Sequence, residues 1–286
     1  MTSYRLYAFR DGEREELLKD HVEAGLEAIR TFYLDEGYHK FLISKLSTLG
    51  VVLEPAQAEA VLLMAYTYHD LGKAVEPLQT RLRSGSGAPG HETLSAYLAA
   101  SVMGLLNSIG DERWAGLPDV VSWGTVLAIL AHMSALRDLM SSLTSLDQHY
   151  RPIKSFYFTR EAFEEVNSII DECWDVEEIP PPLLPRACMR VSREGLEDFV
   201  NKLGAELPRP GPGGRYVSRE EALLRTLSYL VLHPLIIADE YAVAKNMGPR
   251  RGLRRWARDF VESVELARRH MPPYWRSFSF KVDRRR

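Results

Sequence analysis

The chain has 286 residues, 45% of them hydrophobic and 26% charged, with a net charge of −3. That composition belongs to a water-soluble globular protein with a sizeable core, in one large domain or two small ones. The longest apolar stretch, Leu227 to Ala238, is broken by His233 and Pro234 and falls short of the ~20 residues a membrane span needs. Met1-Thr2-Ser3-Tyr4-Arg5 lacks the basic and apolar regions of a secretory signal, so no membrane role and a cytoplasmic location are expected. Two cysteines, Cys173 and Cys188, exclude a disulfide framework, a zinc ribbon or a Cys-x-x-Cys redox site.

The alternation in Tyr4-Arg5-Leu6-Tyr7-Ala8-Phe9 predicts a short N-terminal strand. From Glu15 to Tyr33 the apolar residues recur at helical spacing, with His21 beside Leu17, Leu18 and Val22. Pro55 suits the first turn of a second helix that runs through Val61, Leu62 and Ala65 to His69, where Gly72 is a stop signal. Residues 81–90 are loop by composition. Further helices are predicted from His91 to Gly110 and from Asp119 to Leu143, the latter holding His132. Residues 149–216 are proline-rich and weakly periodic, and read as an insertion or subdomain. Ser218-Arg-Glu-Glu221 is a capping-box signature opening a long helix through Asp239 to Gly248, which Pro234 should kink, with His233 as a core histidine at the kink. The expected fold is therefore all-α, a helical core over residues 1–248 with the 149–216 insertion inside it.

Residues 249–286 form a basic C-terminal helix and tail, with 12 Lys and Arg against 4 Asp and Glu. Such a segment either attracts polyanions by counterion release or is a solvated helix face with a ragged end.

The chemistry concentrates in Tyr68-His69-Asp70-Leu71-Gly72-Lys73-Ala74. Taken one by one, His21 and His91 read as core or boundary histidines. His132 and Asp239 stand out more, because each lies in an otherwise apolar helical run where a polar group needs a partner. Together, these residues have the composition of a divalent-metal centre. Phosphodiester hydrolysis needs a hydroxide nucleophile and a counter-charge for the non-bridging oxygens, and a metal pair supplies both. Histidine ligands mixed with carboxylates suit Mn, Ni, Co or Fe, and Mg less. Lys73, one turn beyond His69, is placed to hold a phosphate as a point charge. A nucleotide-binding P-loop is excluded, because Thr67 stands where its first glycine is required and Ala74 where Ser or Thr is required.

These motifs resemble the HD phosphohydrolase superfamily, and more closely the stand-alone CRISPR-associated HD nuclease. The resemblance rests on His69-Asp70-Leu71-Gly72-Lys73 followed by Gln79, on His91-Glu92-Thr93-Leu94-Ser95-Ala96, and on Ala131-His132. It covers about residues 15–245, apart from the 149–216 insertion. It implies an HD-domain helical bundle in which His21, His69, Asp70 and Asp239 hold a first metal. Asp70 would bridge to a second metal held by His91 and His132, with Lys73 as a phosphate- or water-orienting group. The implied activity is metal-dependent cleavage of single-stranded DNA in type I CRISPR interference, with a separate helicase subunit and the RNA-guided surveillance complex as partners. Many relatives carry two consecutive histidines where this chain has His132-Met133, so the second metal site is expected to be the weaker. Two rival readings share the HD core: a nucleotidase or dNTP phosphohydrolase, and a degenerate docking subunit without activity.

Overall fold

A computed structural model describes residues 4–106, 114, 116–133, 146, 148–206, 218–247 and 254–270. The N-terminus is an antiparallel hairpin of β1 (Tyr7–Asp11) and β2 (Arg14–Leu17), in which Glu15 is exposed and Glu16 buried. This corrects two boundaries. The strand begins at Tyr7, not Tyr4, and the first helix begins at Leu18, because Arg14–Leu17 pairs with β1 instead of winding.

Helix α1 (Leu18–Ile29) continues into a π turn over Arg30–Leu34 and is followed by α2 (Tyr38–Thr48) and α3 (Pro55–His69). Pro55 opens α3 as its composition requires, and the Gln57 side chain accepts from the Glu54 N–H. A 3-10 turn (Leu71–Ala74) leads into α4 (Glu76–Arg83), and α5 (His91–Val102) follows the glycine-rich loop. Helix α5 stops at Val102, short of Gly110, and α6 (Asp119–Ala131) stops short of Leu143. Residues 107–113 and 134–145 of those predicted helices lie outside the described residues.

The proline-rich region is more ordered than its periodicity implied. Strand β3 (Ser155–Tyr157) pairs with β4 (Arg190–Ser192), flanked by α7 (Arg160–Cys173) and α8 (Arg193–Glu206). Phe156, Ile170, Leu184, Val191 and Phe199 are buried in the same hydrophobic cluster as the first 100 residues. The prolines themselves lie against α3, where the Tyr68 hydroxyl donates to the Pro182 carbonyl. Helix α9 (Arg219–Met247) is capped reciprocally by Ser218 and Glu221 and runs on through Pro234. His233 is exposed and its Nδ1 lies 3.1 Å from the Tyr33 hydroxyl, so it is not a core histidine. Helix α10 (Arg255–His270) is docked, with Ala257 and Val261 buried and Phe260 stacked on Tyr33.

The architecture is thus predominantly helical, with two small two-stranded sheets among the described residues. Helix α3 is its axis. Eleven of its residues are buried, on every side, because its sequence is apolar all round until His69. Helix α9 is long and apolar enough to cross a membrane by composition, yet it packs along α1 and α6 and carries Asp239 into the interior.

Candidate metal centre

Five elements bring six of the predicted residues to one point. His21 comes from α1, His69 from the last position of α3 and Asp70 from the residue after it. His91 opens α5, His132 caps the C-terminus of α6, and Asp239 comes from the middle of α9. The C-termini of α3 and α6, the negative ends of their dipoles, both face the cluster and favour a cation there.

The distances divide the cluster into two halves joined by Asp70. In the first, His21 Nε2 lies 3.3 Å from His69 Nε2, 3.3 Å from Asp239 Oδ1 and 3.5 Å from Asp70 Oδ2. His69 Nε2 is 3.7 Å from both carboxylates. In the second, His91 Nε2 is 3.0 Å and His132 Nε2 3.7 Å from Asp70 Oδ1, and the two nitrogens are 3.3 Å apart. The ligand atoms of His21, His69 and Asp239, and those of His69, Asp70 and His132, are mutually within 4.8 Å. Lys73 is drawn to the same place, with Nζ 2.5 Å from Asp70 Oδ2.

The far side of each ring explains why all four Nε2 atoms point inward. His69 Nδ1 lies 2.5 Å from the Tyr66 carbonyl, His91 Nδ1 2.8 Å from that of Ala88, and His132 Nδ1 2.6 Å from that of Ile129. In each case the carbonyl belongs to the residue three positions earlier, in the last turn of the helix at α3 and α6, and the Ile129 carbonyl also accepts from the His132 N–H. A carbonyl only accepts, so each Nδ1 carries a proton toward it and each ring turns Nε2 inward. The Nε2 atoms of His91 and His132 then face each other at 3.3 Å. Beside them Asp70 Oδ1 is buried and accepts no hydrogen bond. Converging imidazole nitrogens and an orphaned carboxylate oxygen are the kind of donors a divalent cation would satisfy together. The donor set fits a transition metal.

Electrostatics separates the halves further. Burial alone would lower the His21 pKa, but bonding to Asp239 and Glu16 and the charge of Asp70 override it and raise it to about 10. His132, equally buried, is lowered to about 3 by burial and by the neighbouring His69 and His91. Burial pushes the carboxyls of Asp70 and Asp239 up, yet their neighbours hold both well below the usual range: Lys73, His69 and His91 at Asp70, and His21 and His69 at Asp239.

The scaffold behind the ligands comes from the two motifs. Gly72 has no room for a side chain, since a Cβ there would stand 2.2 Å from the His91 carbonyl oxygen. Its N–H donates instead to Ser95 Oγ at 2.8 Å, so the second motif is bolted onto the first. Gly90 has φ +80° and meets Leu146 so closely that a Cβ would fall 2.7 Å from its Cα. Gln79 is fully buried. Its amide bonds both backbone groups of Tyr7 and the Lys73 carbonyl, tying the hairpin to the turn that presents Lys73.

Two residues at the centre carry no sequence signal. Glu16 Oε1 accepts from His21 Nδ1 at 2.9 Å and from Asn246 Nδ2 at 2.8 Å. The Tyr66 hydroxyl donates to the His21 carbonyl and stands 3.3 Å from its Nε2. Only the inward register of Glu16 on a strand could point to it, and the local period there is helical. Met133 is exposed and brings no sulfur to this ligand cluster.

Fold and site together define a helical protein in which six buried or half-buried His and Asp side chains converge on one point and could hold a metal. No family model and no curated protein matches the chain. Among solved structures it is similar to the CRISPR-associated Cas3 HD domain protein of Methanocaldococcus jannaschii, with a TM-score of 0.49 and 16% identity, over 80% of this chain and 99% of that one.

Proposed function

We propose that the protein is a metal-dependent phosphodiesterase, an HD-type nuclease that cleaves single-stranded DNA in CRISPR interference. The observation that carries this reading is Asp70, buried at the junction of the two halves with one oxygen turned to each. His21, His69, Asp70 and Asp239 would hold one ion, and Asp70, His91 and His132 a second. Held by these residues, divalent ions would supply Lewis-acid charge for the phosphoryl oxygens and lower the pKa of a bound water.

The chain's own groups do the rest. The Nδ1 bonds fix each ring so that no reorientation is needed when the ligand set is engaged. Asp70 stays ionised and acceptor-only. Lys73, partly exposed beside it, offers the cation that would take a non-bridging phosphate oxygen. Asp239 is the most open of the carboxylates, one quarter exposed, so substrate would enter past α9. A cavity of about 350 Å³ lies elsewhere, lined by Thr93, Phe156, Arg193 and Asn201 and by none of the six ligands. The basic segment of α10 and the separate helicase and surveillance-complex partners belong to the same reading.

Cleavage of circular single-stranded DNA by the full chain with Mn, Ni, Co or Mg, beside EDTA and Asp70→Ala controls, tests it. Nicking lost in both controls is expected. Hydrolysis of dNTPs without DNA cleavage would replace the nuclease with a nucleotidase.

A further inference from the structure

The four histidines differ in what stands behind them. For His69, His91 and His132 the closest Nδ1 partner is a backbone carbonyl of the same local segment. For His21 it is a carboxylate, Glu16, with its side chain only 1% exposed. A buried carboxylate is expensive to maintain unless it is paired, and the first partner of Glu16 is His21 itself. Asn246 supplies the second donor, from the α9 helix that also carries Asp239. Residues seven apart on a helix share a face, so α9 delivers a metal ligand and the support of another ligand from one side.

We infer that Glu16, held by Asn246, is a positioning residue that sets the affinity of the His21 half of the centre. Glu16 fixes the His21 tautomer and, through the ring, adds negative charge to the ligand at Nε2. It thereby raises the basicity of that nitrogen toward a divalent ion, as a carboxylate–histidine pair does in known metal sites. The hairpin is therefore part of the metal centre, since its register is what turns Glu16 inward and Glu15 outward. The inference rests on the metal-centre reading above.

Glu16→Gln is the informative variant, because the amide oxygen still accepts from His21 Nδ1 and Asn246 while the charge is gone. Co(II) is titrated into the metal-free full chain, followed by calorimetry and by the visible d–d absorption of the bound ion, with thermal unfolding in EDTA run alongside. The expected result is a chain that still melts cooperatively in EDTA, Co(II) binding weakened about 10-fold or more, and altered d–d bands. Asn246→Ala, which leaves the charge but loosens it, is expected to weaken binding less than Glu16→Gln. Wild-type affinity and spectrum in Glu16→Gln would overturn the inference, and so would a Glu16→Gln chain unfolded in EDTA, which would make Glu16 a fold determinant only. A wild-type chain that binds no Co(II) would instead overturn the metal-centre reading itself.

Discussion

The two halves of the centre use the same ligand types at the same depth, yet their protonation is opposite. His21 and His132 are both fully enclosed, and one is raised to about 10 while the other is lowered to about 3. Burial disfavours the imidazolium at both places. The difference lies in the neighbours: His21 is flanked by Glu16, Asp70 and Asp239, while His132 has His69 and His91 beside it and more distant carboxylates. Depth therefore does not set the state of a buried histidine; the carboxylates beside it do. One half is built to be anionic, and the other is close to neutral and borrows its charge from Asp70.

The largest disruption of this comparison is Asp70→Ala, which takes an oxygen from both halves at once. We expect Co(II) binding to fall in both and DNA cleavage to drop about 10³-fold or more, the scale of several kcal/mol of lost charge stabilisation. His132→Ala, by contrast, should spare Co(II) binding in the His21 half. Titration calorimetry of the two variants separates these outcomes.

Gly72→Ala attacks the joint between the halves, not their ligands. Its new Cβ cannot coexist with the His91 carbonyl. Denaturant unfolding should show a loss of about 1–3 kcal/mol, typical of an overpacked core, together with weaker metal binding as α5 is pushed away.

The opposed histidines also give the metal-free protein two pH limbs. His132 stays neutral in the fold, so stability falls as pH drops from about 6.5 toward 3, where only the unfolded chain takes up that proton. His21 holds its proton in the fold, so its contribution is complete below about 6.5 and is lost as pH rises toward 10. Each limb should amount to a few kcal/mol at most. Scanning calorimetry in EDTA should find the acid limb flattened in His132→Ala and the alkaline limb flattened in His21→Ala. Because a metal must displace the His21 proton, Co(II) affinity should climb about tenfold per pH unit between pH 6 and 8.

Smaller effects test the periphery. Lys73→Ala should leave the metal bound and slow turnover about 10–100-fold, the value of a charged hydrogen bond. Neutralising Arg254, Arg255 and Arg258, all exposed on or beside α10, should reduce the salt slope of single-stranded DNA binding by about 0.7 for each phosphate left without its cation. Truncating the chain before α10 is the poorer test, since Ala257, Val261 and Phe260 belong to the core.

Much of the architecture is legible in the sequence because helices announce themselves locally. The Pro55 start, the Ser218–Glu221 cap and the apolar periods around His21, His69, His132 and Asp239 are all features of a few turns of chain. Sequence and structure part where local pattern and pairing compete. Arg14–Leu17 has helical neighbours but is captured by β1, and the described residues 149–206 fold by packing on α1, α4 and α5, which no period of their own encodes. The apolar flanks of His233 suggest burial, whereas α9 turns that position outward.

The sequence by itself determined the fold class and which residues are polar within apolar helices. Tertiary structure alone decided that six residues spread from position 21 to 239 meet, that Asp70 turns one oxygen to each half, and that Glu16 reaches across to Asn246, 230 residues away. The reason is physical: hydrophobic period and helix ends act over a few residues, whereas the partner of a buried charge is chosen by how whole helices pack.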